Sequence, residues 1–570
     1  VISQAERDLI SRLNKLYDEG VKYRDEWGKE WDRFLERRRG KFWDERRPSY
    51  RINAVLNFLN KIVERKTATL TDSRPMIQIV SRRPGLDDVC DALTRVISAI
   101  FEERNWERRL TELIELEQTF GIAGVSTCWD SSLDYGRGDI DILILDPRTF
   151  VFDPYISRSW NLKFGEYFIL EYTRPTDLLR SKYPERADDI KPDVTPETRE
   201  DSVIGKIRRF IGTRTPSQPT PTSTISRSIV RQYWIRDRST KNEDNTLKYP
   251  TWRYIIIAGG CVVEDAPNPY IDGDLPIDIM EWDFNVDSAY GFSEIASLEM
   301  PQIMFNKVIA LIIENAMLMS NGIWIGDENA LSDEAKRKLT NEPGSHVWKR
   351  RGTELKREPG VPLPPYVMQL PTLLLSGMEK LSSITEVSEG RKPGSVTSGQ
   401  AIEQLQVAAQ TAIRLKARQI EDLIQRVGQK LISRIFQYYT EDRVFHLLGP
   451  SNRYEQFIFE RDKIRTSLQS LNIPIARAFQ DFTFKVVPAS SLAVSRWQRG
   501  LIAMQLYNSG IIDDEEVLEV LEWPNREKVL ARTHEKKESG ILPTRQPTRQ
   551  KLPKQLLRSH PERGLQLPQQ

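Results

Sequence analysis

One stretch, Tyr366 to Tyr439, constrains the fold of this chain more than any other. It reads as helix, short polar loop and long helix. Pro371 suits a helix start, where its missing N–H would be unpaired anyway. Leu374, Met378, Leu381 and Ile384 follow at helical spacing. The run Glu389-Gly390-Arg391-Lys392-Pro393-Gly394-Ser395 cannot continue a helix. Thr397 and Gln400 then form a capping-box pair that starts a new one. From there Ile402, Leu405, Ala409, Ile413, Ile420, Ile424, Val427, Leu431, Ile435 and Tyr438 keep one apolar stripe. Arg414, Arg418, Arg426, Lys430 and Arg434 take the remaining surface. A helix from about 398 to about 439 would be roughly 60 Å long at 1.5 Å per residue. That exceeds an ordinary globular helix, so it spans a larger assembly or is kinked, with Gly428 a weak point.

At 570 residues the chain has room for several domains. Its 83 basic and 81 acidic residues leave a net charge of only +2. That balance argues against a tight DNA binder, whose affinity comes from neutralising phosphates, and leaves room for local patches of either sign. Cys90, Cys128 and Cys261 lie far apart and no CxxC occurs, so neither a zinc ribbon nor a disulfide framework is signalled. The longest purely apolar run, near 308–313, ends at Glu314 and is too short to span a bilayer. No signal peptide is read at the start.

Taken in order, Val1 to about Glu45 is helical, with Trp27, Trp31, Phe34, Phe42 and Trp43 interleaved with Arg37, Arg38 and Arg39. Such a pattern stacks on nucleic acid or, more often, anchors a docking helix. Asn53 to about Thr71 is a second amphipathic helix, Met76 to Val80 a short strand, and Leu86 to Gly121 one long helix. Val125–Trp129 and Ile140–Leu145 alternate as strands, and Asp146-Pro147 and Asp153-Pro154 mark tight turns. Phe168–Tyr172 is a strand and Thr176–Tyr183 a short helix. The polar stretch 193–228 is an insertion too poor in apolar residues for its own core. Strands follow at Val230–Arg236, Trp252–Ala258 and Val262-Val263, with Gly259-Gly260 as a hairpin turn. The helix after Ser293 is kinked or restarted at Pro301, with Met304, Val308, Leu311, Ile312, Asn315 and Met319 on one side, and ends at Asn321-Gly322. Short strands at Ile323–Ile325 and His346–Trp348, a small helix near Ser332–Leu339 and the run Lys349-Arg350-Arg351 make up an excursion to Pro365. Beyond Thr440, Arg453–Phe459 and Phe482–Val487 are strands, Leu492–Leu506 is helical, and a short helix with an acidic first turn ends at Trp523-Pro524. The last residues, from about 533, are basic and rich in Pro and Gln.

Catalytic signatures are lacking. There is no GxxxxGK[ST] loop, HExxH, GxSxG or GxGxxG, and only His346, His446, His534 and His560 exist. Nothing calls for a cofactor or a metal. Asp141, Asp146 and Asp153 offer one alternative, a carboxylate cluster binding metal in a nucleic-acid enzyme. Asp before Pro is a common turn element, and no His or Glu completes the signature nearby, so the turn reading is the stronger.

The order of elements resembles that of a bacteriophage portal protein, the head-to-tail connector at one capsid vertex. The resemblance is carried by Asn53 to Pro75, Gly121 to Pro154, Tyr290 to Gly322, Tyr366 to Tyr439 and Gly510 to Pro524. Pro393-Gly394-Ser395-Val396-Thr397-Ser398-Gly399-Gln400-Ala401-Ile402 is its most telling piece. It implies an α+β, mainly helical subunit and no enzymatic activity. It also implies a homo-oligomeric ring, usually of about twelve copies, through which double-stranded DNA is packaged and ejected. The wing would comprise 1–289 and 441–487, stem helices 290–322 and 366–388, the clip 323–365, a tunnel loop 389–398, a long helix 399–440 and the crown 488–532; the tail 533–570 has no counterpart. Arg391, Lys392, Ser395 and Thr397 would face the channel; for Arg391 and Lys392 a solvated loop without DNA contact is the competing reading. Lys349, Arg350 and Arg351 would meet the terminase large subunit and later the tail adaptor; a plain exposed turn is the competing reading. Further partners would be the major capsid protein and scaffolding protein, without a membrane, in a virion assembled in the host cytoplasm. A helical scaffold of another large assembly is a further alternative.

Overall fold

The computed structural model describes residues 3–44, 48, 51–72, 75–193, 225–320, 322–337, 346–358, 360–383, 411–448, 454–471, 473–486, 496–510, 512–514, 517–518, 521, 529–530 and 532. At 50% helix and 20% strand it is α+β. Two compact units divide the chain, one of residues 1–443 and 458–492, the other of 444–457 and 493–570.

The first unit opens with α1 (Gln4–Gly28) and α2 (Trp31–Arg38). Ser3 caps α1 by accepting from Glu6 N. The aromatic-basic segment is a docking element within the subunit. Trp31 and Phe34 are buried, Trp31 Nε1 donates to Phe120 O at 3.0 Å, and Arg37 pairs with Glu299 at 2.8 Å. The next helix, α3 (Phe58–Thr71), starts five residues later than its apolar pattern suggests, because Asn57 caps it and the preceding residues are irregular chain. After β1 (Ile77–Ser81), the expected single helix to Gly121 is two, α4 (Asp87–Glu103) and α5 (Trp106–Phe120). The break is Asn105 at φ 50°, a left-handed conformation that Asn tolerates. It turns Trp106 onto Phe101, ring centroids 5.2 Å apart.

The strands β2 (Ile122–Asp130), β3 (Asp139–Leu145), β4 (Phe150–Phe152) and β5 (Tyr167–Pro175) lead to α6 (Thr176–Lys182). Four more follow: β6 (Arg227–Ile235), β7 (Arg253–Ala258), β8 (Cys261–Pro267) and β9 (Ile277–Glu281). Gly259-Gly260 is the β7–β8 turn, as expected. These strands form two antiparallel sheets, ordered β3-β2-β9 and β4-β5-β6-β7-β8. Leu13 of α1, fully buried, packs with Val151, Ile169, Tyr233 and Ile255 of the larger sheet.

Then come α7 (Glu294–Ser320), unbroken through Pro301, and the pair β10 (Ile323–Gly326) and β11 (Leu355–Glu358), with α8 (Asp333–Arg337) between them. The expected strand at His346–Trp348 is irregular chain; the partner of β10 is the charged run Leu355–Glu358. Helix α9 (Leu370–Ser382) carries Pro371 in its first turn, and α10 (Thr411–Tyr438) is continuous over its described length. The strand pair β12 (Arg443–Leu448) and β13 (Tyr454–Phe459) follows. The first of these and the helices α11 (Arg461–Ser470) and α12 (Ile475–Ala478) were not read from the sequence, although Ile464 and Leu468 stand one helical turn apart. Last in this unit, β14 (Phe482–Val486) pairs with β1. The second unit holds most of the β12–β13 ribbon and α13 (Arg496–Asn508).

The basic residues of α10 do not simply fill a solvent face. Lys430 donates to Asp278 at 2.7 Å, and Arg434, fully buried, to Asp272 at 2.5 Å with its guanidinium 3.6 Å from the Tyr270 ring centroid. Gly428 is a packing notch: a Cβ there would fall 2.3 Å from the Phe484 ring. Gly121, at φ 85°, closes α5, and a Cβ on it would lie 2.2 Å from Gly291 O. Gly121→Ala should therefore cost about 3 kcal/mol of unfolding free energy, read as a lower urea midpoint.

Glu117 on α5 is fully buried, and neither carboxylate oxygen has a hydrogen-bond partner. Burial raises its pKa well above the usual carboxylate range, with Glu281 adding to the rise against Lys416 and Arg426. The native state thus keeps a proton that the unfolded chain releases. Its contribution is complete below the unfolded pKa and is lost as pH rises toward the native one. Glu117→Gln should gain stability over the wild type from about pH 5 upward, by up to about 1.4 kcal/mol per pH unit until the native pKa is reached. Urea titrations between pH 5 and 8 measure that divergence.

Candidate functional site

Arg391, Lys392, Ser395 and Thr397 lie outside the described residues. Lys349, Arg350 and Arg351 are described, and all three are exposed on a turn that closes at Gly352, φ 88°. Lys349 Nζ donates to Thr353 O at 2.9 Å and Arg350 N to Ala330 O at 3.0 Å, so the backbone beneath the cations is held. Trp348, 86% exposed, stands beside them. The excursion is tied to the end of α7 by glycine: a Cβ on Gly322 would lie 2.8 Å from Glu358 O.

The three aspartates are engaged in separate local tasks. Asp141 accepts from Arg109 Nη1 at 2.8 Å and from Ile142 N at 2.9 Å. Asp146 caps the turn after Pro147 by accepting from Arg148 N at 2.9 Å and also holds the Arg148 guanidinium. Asp153 accepts from Tyr155 N at 3.0 Å and Glu166 N at 2.9 Å. Asp139 does for Ile140 N (2.8 Å) what Asp141 does for Ile142 N, while Arg104 Nε holds Ile140 O at 2.9 Å. In the three-stranded sheet β3 is an edge strand, and these side chains occupy part of its hydrogen-bonding capacity. Among the described residues no group of three or more His, Cys, Asp or Glu is placed to hold a metal ion.

The surface that sequence periodicity did not orient is α7. Its buried face carries Glu294, Glu299, Gln302 and Asn306 beside Leu298, Phe305 and Ala310. Gln302 Oε1 accepts from Leu59 N at 3.0 Å, its Nε2 donates to Leu56 O at 2.6 Å, and Asn306 Oδ1 accepts from Leu56 N at 3.1 Å. The segment before α3 thus zips onto the polar side of the helix. Met304, Leu311 and Met319, grouped on one side by their spacing, are exposed instead, as are Met300, Met317 and Leu318. Over 18 residues the helix reaches a mean hydropathy of 1.5 with only 17% of that window buried. It is long and apolar enough to cross a bilayer, unlike the short run near 308–313 taken alone. Its amide zipper and the Arg51–Glu314 pair at 2.8 Å tie it instead to the rest of the subunit. A large apolar face rimmed by polar groups marks an interaction surface.

At the start of α7, Trp282 Nε1 donates to Glu294 Oε2 at 3.0 Å and Lys66 pairs with Glu294 at 2.7 Å. Lys416, from the N-terminal part of α10, lies 4.6 Å from the Trp282 ring centroid and donates to Asp283 at 2.6 Å. One buried indole therefore joins the base of α7 to α10.

No curated protein sequence matches the chain. The family model described as phage P22-like portal protein matches residues 14–569. A match of that extent takes in both sheets, α7, α9 and α10 together. The chain therefore belongs to the phage P22-like portal protein family, structural proteins of the virion's portal vertex rather than enzymes.

Proposed function

We propose that the chain forms a closed ring of about twelve copies at one capsid vertex, through which double-stranded DNA is packaged and later ejected. The observation that carries the reading beyond family membership is the outward apolar face of α7. A subunit that turns amides inward and methionines and leucines outward on a 27-residue helix has a surface that suits burial against another chain.

In this reading α7 and α9 belong to the stem, and the segments 290–322 and 366–388 line the conduit. Residues 323–365 are the clip, whose Lys349, Arg350 and Arg351 meet the terminase large subunit and then the tail adaptor. Residues 389–398 form the tunnel loop, and 399–440 is the long helix behind it. The wing comprises 1–289 and 441–487, facing the major capsid protein and scaffolding protein, and 488–532 form the crown. A ring multiplies every side chain by the subunit number, so Arg391 and Lys392 become a basic girdle. A near-neutral chain suits a conduit in which strong phosphate pairing would hold the DNA back.

Electron microscopy of the purified chain, with native mass to count copies, tests the ring. Closed rings of about a dozen copies with a hole of roughly 20 Å or more, wide enough for duplex DNA, are expected. A monomer or dimer under all assembly conditions would overturn the reading. Replacing Arg391 and Lys392 by Ala together should lower packaging or retention of DNA while leaving ring formation intact. Unchanged packaging and retention would remove the girdle from the account.

A further inference from the structure

Helices α7 and α9 run antiparallel. Asn315 Nδ2 donates to Val361 O at 2.9 Å toward one end, and Phe305 shares a core cluster with Met378 toward the other. Their inner faces are covered and their outer faces are not. On α7, Met300, Met304, Leu311 and Leu318 fall within about 40° of one another at 3.6 residues per turn and are 56%, 48%, 51% and 60% exposed. On α9, Leu373 and Leu381 are 66% and 55% exposed, with Gly377 midway between them. A Cβ added at Gly377 would meet no atom within 4 Å. Two leucines therefore flank a notch on the outer surface. A glycine inside a helix weakens it, and among the described residues nothing uses the space.

We propose that a second copy of the chain fills the notch. The Met304–Leu311 ridge of α7 in one subunit lies between Leu373 and Leu381 of α9 in the next. This rests on the ring reading above and names the faces that meet. Ridge and notch are unlike surfaces of one chain, as a head-to-tail ring contact requires; each copy offers one to each neighbour. Rotation about an axis lying along the helices preserves height. Phe305 and Met378 share one core cluster within a subunit, and the proposed pairing sets a neighbour's Gly377 beside Met304 and Lys307, and its Leu373 beside Leu311. The ridge and the two leucines beside the notch expose six large apolar side chains. At on the order of 100 Å² each they supply more than half of the area of about 1,000 Å² that a specific contact requires.

The full-length chain carrying Gly377→Leu separates assembly from folding. With open space at that position, the thermal midpoint of the dissociated subunit should hold or rise, because leucine is the better helix former. The concentration giving half-maximal rings should rise at least about tenfold, because the ridge no longer fits. In a second variant, Leu311→Cys with Leu373→Cys, oxidised rings should run as a ladder of covalent multimers on a non-reducing gel, and neither single variant should. Rings that assemble normally with Gly377→Leu, or a double-cysteine ring that yields no ladder, would overturn the pairing alone. A wild-type chain that never forms rings would overturn the ring reading and the pairing with it.

Discussion

The amide zipper on α7 is the constraint on which the rest of this subunit depends. Gln302 and Asn306 satisfy backbone groups of the segment leading into α3, and Glu299 holds Arg33 and Arg37 of α2. Backbone donors and acceptors buried without partners are costly, so the helix must present this polar face inward. Its apolar residues are left on the other side. The same choice that anchors the N-terminal helices creates the outward hydrophobic surface. A conventional amphipathic helix in this position would leave α2 and α3 without their polar partners.

A second constraint runs through α10. Asp272, Asp278 and Asp283 meet Arg434, Lys430 and Lys416 in turn along the helix. Between them Gly428 lets β14 approach closely enough for Phe484 to press on the helix backbone. Charge sets the position along the axis, and the missing side chain sets the depth. Breaking a buried pair by removing one partner is costlier than the pair is stabilising, so these ion pairs work chiefly to hold register. Trp282, between Lys416 and Glu294, makes the placement of α10 and the start of α7 one problem.

The strands β1–β3, β5–β8, β10, β13 and β14, the Gly259-Gly260 hairpin and the helix at Pro371 were legible in the sequence because each rests on a local rule: alternation, turn chemistry or a helix start; β4, β9 and β12 were not read. The break at Asn105 was not legible. Asparagine costs a helix little, and only the burial of Trp106 against Phe101 favours the left-handed turn. The orientation of α7 was also hidden. Periodicity says which residues share a face but not which face the subunit buries. Gln302 and Asn306 were not singled out in the sequence, and their partners lie some 245 residues earlier in the chain. Lys349, Arg350 and Arg351 lie on an exposed turn, and the strand beside them was misplaced because the actual one, Leu355–Glu358, is mostly charged. Asp146 and Asp153, read as turn elements before proline, are turn elements, and Asp141, read within a strand, serves that edge strand.

That edge strand bears on the life of the subunit before assembly. In free chains any unpaired, apolar strand is an invitation to off-pathway polymerisation. In β3 the sequence Asp-Ile-Asp-Ile turns carboxylates back on the strand's own N–H groups and Arg104 onto a carbonyl. Chains that meet by this route find part of the strand's hydrogen-bonding capacity already spent and charge in the way. In the proposed ring, association is left to a helical surface, where contact demands matched shape rather than a generic ladder. Fidelity of assembly thus owes as much to where this chain refuses to associate as to where it does.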